Sequence, residues 1–176
     1  MTVIFPEATK VQGNTSVTVV QTVANMAAPD LSSEINAVSS VNVSCFLYSG
    51  GVGTATTAKG EAPRRVCTTE TFQQFGNTSY EVSDLMYVYD PQGDDAAEAN
   101  KAKAALLEGS EVFLVIRKGL DAKTTAYAAG QQVDIWHVRL GPQNRGVTGD
   151  GEFDEFAIVQ SVIAIEPPEF DVAIVA

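Results

Sequence analysis

Few residues in this 176-residue chain have the types and spacing to do chemistry. Its single histidine, His137, sits between Trp136 and Val138. Acid–base or nucleophile-activating work asks an imidazole to meet a hydroxyl, thiol or carboxylate. The neighbouring sequence supplies no Ser-His-Asp or Cys-His arrangement, so His137 reads as a packed or rim residue of a strand. The two cysteines, Cys45 and Cys67, are too few for a Cys/His zinc site or a disulfide framework. Cys45 alternates with Val41, Val43 and Leu47, which predicts a buried small hydrophobe. Asp150-Gly151-Glu152-Phe153-Asp154-Glu155 alternates acids as a Ca²⁺ loop does. It lacks both the mid-loop glycine and the bidentate glutamate that close such a loop, and reads as a solvated turn. Gly50-Gly51-Val52-Gly53 has no third glycine at Thr56 and no following Gly-Lys-Ser/Thr, so it is a hairpin loop rather than a phosphate cradle. Among 22 acidic residues no spacing singles out a glycosidase-like pair. The expectation is no enzyme, no catalytic, cofactor-binding or metal residues, and no cofactor.

The elements around these residues are mostly strands. Thr15 to Thr22, Val41 to Tyr48, Leu85 to Tyr89 and Val133 to Val138 carry β-branched and aromatic residues. Val112-Phe113-Leu114-Val115-Ile116 is a continuous apolar run, expected to be buried on both faces. Phe156 to Ile165 reads as a long strand with Ala157, Val159, Ile163 and Ile165 on one face, and a last strand runs from Phe170 to Val175. Gly141 to Gly151 reads as a polar turn region. Asp30 is placed to cap a short helical turn over Leu31 to Asn36. One helix is marked over residues 95–108, with Asp95 and Glu98 forming a capping box and Gly109 ending it in the left-handed position. Residues 1–13 read as an arm, and 49–80 as a connection too long to be ordinary, a class that tends to be functional.

With 45% hydrophobic residues a chain of this length can hold a core without staples. No apolar run approaches the roughly 20 residues of a membrane helix, and the first residues have no signal-peptide pattern. The formal charge of −11 is unevenly placed: Arg145 is the last basic residue, and Asp150, Glu152, Asp154, Glu155, Glu166, Glu169 and Asp171 follow it. Such a chain repels the phosphate backbone, which argues against specific DNA binding, and the same charge confers solubility.

Three stretches stand out when taken together. The first is Ser33-Glu34-Ile35-Asn36-Ala37 followed by Val43-Ser44-Cys45-Phe46-Leu47. The second runs from Arg65-Val66-Cys67-Thr68-Thr69-Glu70-Thr71-Phe72 to Tyr87-Val88-Tyr89-Asp90-Pro91-Gln92. The third is Val112-Phe113-Leu114-Val115-Ile116-Arg117 with Ala129-Gly130-Gln131-Gln132-Val133-Asp134-Ile135. In order and spacing, over nearly the whole chain, these stretches resemble the major tail tube protein of long, non-contractile-tailed bacteriophages (siphophages).

The resemblance implies a mainly β subunit, a β-sandwich or barrel-like tail tube fold with one flanking α-helix, a long inter-strand loop and an extended N-terminal arm. The expected division is an arm over 1–13 and a single domain over 14–176. It further implies homo-hexameric rings stacked into a tube through which DNA passes without specific binding. Tape measure, tail-tip and tail-terminator proteins are the implied partners, with a place in the virion tail and in the host cytoplasm during assembly. Ring-to-ring or subunit contacts then fall on Gly50, Gly51, Gly53, Arg64, Arg65, Phe72 and Phe75, and lumen-facing acids on Glu81, Asp84 and Asp134. Some members carry an extra C-terminal surface domain, and the expectation here is that none is present. The alternative of another class is a monomeric or dimeric acidic β-sandwich acting as a binding or decoration module.

Overall fold

The computed structural model describes residues 8–48, 53–63, 66–67 and 72–176. It is mainly β, with a curled half-barrel sheet and one short α-helix. The strands are β1 (Thr15–Val20), β2 (Val41–Asn42), β3 (Thr54–Glu61), β4 (Gln73–Glu81), β5 (Leu85–Val88), β6 (Glu111–Lys118), β7 (Gln132–Val147), β8 (Phe156–Ala164) and β9 (Glu169–Ala173). Seven form one antiparallel sheet in the order β2-β1-β6-β7-β8-β5, with β9 on the first part of β7, while among the described residues β3 and β4 pair only with each other.

Strand β6 explains the layering. Its alternate residues Val112, Leu114 and Ile116 enter a core with Val17, Val19, Trp136, Val138, Leu140 and Ile158 inside the curl. Val115, from the other face, joins Ile35, Tyr127, Val133, Ile135 and Ile174 in a second cluster. The continuous apolar run is therefore buried on both faces, each fully buried aliphatic side chain contributing about 1.5–3 kcal/mol.

The second cluster is roofed by a one-turn π-helical segment, Leu31–Ile35, whose Asp30 cap accepts from the Ser32 and Ser33 amides as the sequence predicts. It is also roofed by the 119–130 connection. There Arg117, fully buried, donates to the carbonyls of Asp121, Thr124 and Ala126 and lies 4.5 Å over the Tyr127 ring.

Several expected elements are redrawn by packing. The strand expected over Val41 to Tyr48 survives only as β2, because Ser44 takes over the pairing: its Oγ accepts from Val17 N at 2.8 Å. A turn follows at residues 44–46, and the chain then pairs with β5 through Tyr48 N to Met86 O and Val88 N to Phe46 O. Residues 41–48 thus touch both ends of the sheet and hold its curl. Cys45, expected inside, is exposed on that turn, and Cys67 is exposed as well.

The helix expected over 95–108 shortens to α1 (Lys101–Ala105) behind a 3₁₀ turn, Glu98–Asn100. No capping box forms: Asp95 pairs with Lys103 at 2.6 Å and Glu98 with Lys101 at 3.6 Å. The reason is Asn100, which is fully buried and donates to the carbonyls of Asp90, Gly93 and Asp94, holding the preceding residues in a turn. Gly109 is left-handed (φ 77°) as expected, but it serves the turn into β6 rather than the helix end.

The Gly141 to Gly151 turn region is also redrawn, because β7 runs on to Val147. It bends at a register shift between Leu140 and Gln143, where proline lacks an amide and a Cβ on Gly141 would lie 2.9 Å from Ser161 O.

On β8 the expected face is reversed for most positions: Ile158, Gln160 and Val162 point inward, whereas Ile163 is 60% and Ile165 41% exposed. Ala157 is buried as expected. Gln160 is satisfied inside by accepting from the Tyr87 hydroxyl at 3.0 Å and donating to Leu106 O and Gly141 O. A polar residue with three partners at hand can take a core position that an isoleucine pattern would claim.

Candidate functional site

The connection between β2 and β5 carries two strands that are exposed along their whole length. Alternating Thr, Ala and Ser side chains let residues 54–61 and 73–81 pair as an antiparallel hairpin, with a bulge between Thr57 and Lys59. Thr57 and Thr78 hydroxyls meet at 3.1 Å across it, and the Lys59 ammonium lies 5.9 Å from the Phe75 ring centroid. Every residue of both strands is exposed, and Phe72 and Phe75 are 61% and 77% exposed. A lone two-stranded hairpin is marginal in water, and among the described residues no further strand pairs with either outer edge.

What anchors the hairpin is its root. Gly53 approaches the Trp136 ring so closely that a Cβ there would sit 2.7 Å from Cζ2. Trp136 is itself 1% exposed and meets Phe170 edge-on at 5.7 Å. Beside the root, a cleft of about 840 Å³ opens between residues Thr9 to Thr15 and the apolar side chains of Val17, Leu47, Ile116 and Trp136. Tyr48 on its rim donates to Glu155 at 2.6 Å; burial, then that bond and the carboxylate charge, push the phenol up to about 12.

Of the expected contact residues, Gly53, Phe72 and Phe75 belong to this hairpin or its root, while Gly50, Gly51, Arg64 and Arg65 lie outside the described residues. Of the expected acids, Glu81 ends β4, exposed and opposite Thr54, and Asp84 is exposed in the link to β5. Asp134 stands apart: it is 5% exposed, pairs with Lys118, and accepts from Asp171 N at 3.0 Å. That last bond holds Asp171 in its left-handed conformation (φ 52°). Residues that the sequence did not single out include Trp136, on which Gly53 packs, and the exposed Phe153 (92%) and Phe156 (59%).

The chemistry-bearing residues are used structurally. His137 stacks on Phe113 at 4.3 Å and its Nδ1 lies 2.7 Å from Glu166 Oε1. Arg139 bonds Glu111 and holds its carboxyl below the usual range. In the 148–155 turn Asp154 accepts from Gly151 N and from the Thr148 hydroxyl. Among the described residues no group of His, Cys, Asp or Glu is placed to hold a metal ion, and no helix is long and apolar enough to cross a membrane. The exposed strands of the hairpin are suited to pairing with other chains.

In comparison with known proteins, the family model described as "Phage tail tube protein" matches residues 3–176. No curated protein matches the chain.

Proposed function

This chain belongs to the phage tail tube protein family, and on that premise we propose how it builds the tube. Membership makes it a structural protein of the virion tail that self-assembles. Six copies close into a ring, and rings stack into a hollow conduit for the genome. The unit is residues 14–176, with 1–13 as an arm. Subunits assemble in the host cytoplasm around a tape measure protein, between tail-tip and terminator proteins.

The observation that carries the reading is the β3–β4 hairpin, whose strands are exposed throughout and open on both edges. A head-to-tail contact that does not close on itself generates a filament. The hairpin, with Phe72, Phe75 and the root at Gly53, supplies such a contact, and Gly50, Gly51, Arg64 and Arg65 extend it. An edge that would be an aggregation liability in a monomer becomes a joint.

The lumen is lined by acids, among them Glu81 and Asp84. Within a Debye length of roughly 8–10 Å, wall carboxylates repel phosphates and keep transit free of sticking points. Asp134 is the weakest member of that set, since Lys118 compensates its charge within the subunit.

Negative-stain electron microscopy of the purified, concentrated chain tests the reading. Hollow, regularly striated tubes are expected, and Phe72→Ser with Phe75→Ser should remove them while leaving the folded subunit intact. A wild-type chain that stays monomeric on prolonged incubation overturns it.

A further inference from the structure

The turn at 148–155, which joins β7 to β8, is tightly braced and yet displays a fully exposed aromatic ring. Its backbone closes on itself: Thr148 N donates to Glu155 O at 3.0 Å and Asp154 N to Gly151 O at 3.3 Å. The Asp154 carboxylate organises the middle, accepting from Gly151 N and, at 3.0 Å, from the Thr148 hydroxyl. That hydroxyl accepts in turn from Glu155 N at 3.0 Å. Asp154 fits because position 149 is a glycine: a Cβ there would lie 2.9 Å from its Oδ2. A further bond ties the turn to the body of the subunit, the Tyr48 hydroxyl donating to Glu155 Oε2 at 2.6 Å. Tyr48 is itself pinned to β5 by its N–H to Met86 O.

On this frame Phe153 is 92% exposed, the most exposed aromatic side chain among the described residues. At the base of the turn the cross-strand partners Val147 and Phe156 are half exposed. The bracing fixes where the ring stands while leaving it in water. Burial of such a ring is favourable in proportion to its apolar area. An anchor already held in place loses little conformational entropy on docking, so more of that gain appears as affinity.

We infer that the 148–155 turn is a pre-organised contact element that seats Phe153 against apolar surface of a second copy of this chain, positioned by Asp154 and Tyr48. This deepens the tube reading and rests on it: self-assembly makes a second copy the partner, and Phe153 is an anchor separate from the β3–β4 hairpin. Asp150 and Glu152, exposed beside the ring, stay at the solvated rim, where charges contribute little. Each copy carries a charge of −11, so salt screens the repulsion between copies and favours the contact.

The assembly threshold tests it, measured as the concentration at which the purified chain forms tubes that sediment and are seen by electron microscopy. Phe153→Ser changes one exposed side chain, so monomer melting should match the wild type, while the threshold should rise about tenfold or more. Phe153→Leu keeps an apolar anchor and should stay within about threefold of the wild type. Tyr48→Phe removes only the hydroxyl: amide exchange in 148–155 should quicken, and the threshold should rise although Phe153 is intact. Glu155→Gln keeps an acceptor for Tyr48 and should assemble as the wild type does. Wild-type tubes with an unchanged threshold for Phe153→Ser, or an equal rise for Phe153→Leu, overturn the inference and leave the tube reading standing. Quicker exchange in Tyr48→Phe with an unchanged threshold overturns the positioning role of Tyr48. Wild-type monomers overturn the tube reading itself, and this inference with it.

Discussion

Replacing Gly53 by alanine tests whether the hairpin is held at its root by Trp136. The added Cβ would lie 2.7, 2.8 and 3.0 Å from Cζ2, Cε2 and Cη2 of the indole. Carbon atoms pack best at about 3.5–4.0 Å, so the overlap is roughly 0.5–1.3 Å. The indole cannot easily retreat, because it is 1% exposed and has Phe170 on its edge at 5.7 Å. Overpacking of this kind costs about 1–3 kcal/mol. For a chain of this length each kcal/mol moves the melting temperature by about 2–4 °C, giving a fall of about 2–12 °C. The assay is convenient because Trp136 is the single tryptophan, so its emission reports both unfolding and the packing of the root. Gly53→Ala should melt earlier and show shifted emission before unfolding, and should assemble poorly because the hairpin leaves its pose. A variant with unchanged melting, unchanged emission and normal tubes would refute the claim that this contact positions the hairpin.

Gln160→Leu should cost about 3 kcal/mol by urea unfolding, since the buried Tyr87 hydroxyl loses its acceptor and the Gly141 carbonyl loses a donor, while Leu106 O keeps only the one from Gln143; a loss below about 1 kcal/mol refutes the claim that these bonds select the inward face of β8. Arg117→Leu should speed amide exchange across residues 119–131 far more than in β6, because the loop carbonyls lose their shared donor; uniform change across the sheet would refute a local clamp. The Asp30 cap should be acid-sensitive. Hydrogen bonds from Ser33 and Ser32 hold its carboxyl below the ordinary 3.8, so its contribution is complete above that value and is lost as pH falls through the lower folded one. Asp30→Asn should therefore flatten the acid limb of stability measured by thermal melts below about pH 4, and an identical limb in both proteins contradicts the assignment. Glu81→Lys with Asp84→Lys should slow DNA ejection from assembled particles while tubes still form; unchanged ejection kinetics remove these acids from the lumen.

Local chemistry was legible in the chain wherever one segment decides its own state. The apolar run of β6 has only one way to be satisfied, burial on both faces, and the sheet supplies it. Asp30 followed by two serines caps its own turn without outside help. The scarcity of His and Cys, the excess of acid, and the family-like stretches were enough to turn the reading from catalysis to assembly.

What depended on partners distant in sequence was not legible. Hydrophobic alternation on β8 marks two alternative faces, and only the hydrogen bonds waiting for Gln160 inside the curl select the observed one. The capping box at Asp95 competes with Asn100, whose donors are taken by carbonyls up to ten residues earlier. Cys45 lies outside because residues 41–48 must span both ends of a curled sheet, a demand that no local pattern encodes. Composition sets how much charge and apolar surface the chain carries; strand register, a long-range property, decides where they face.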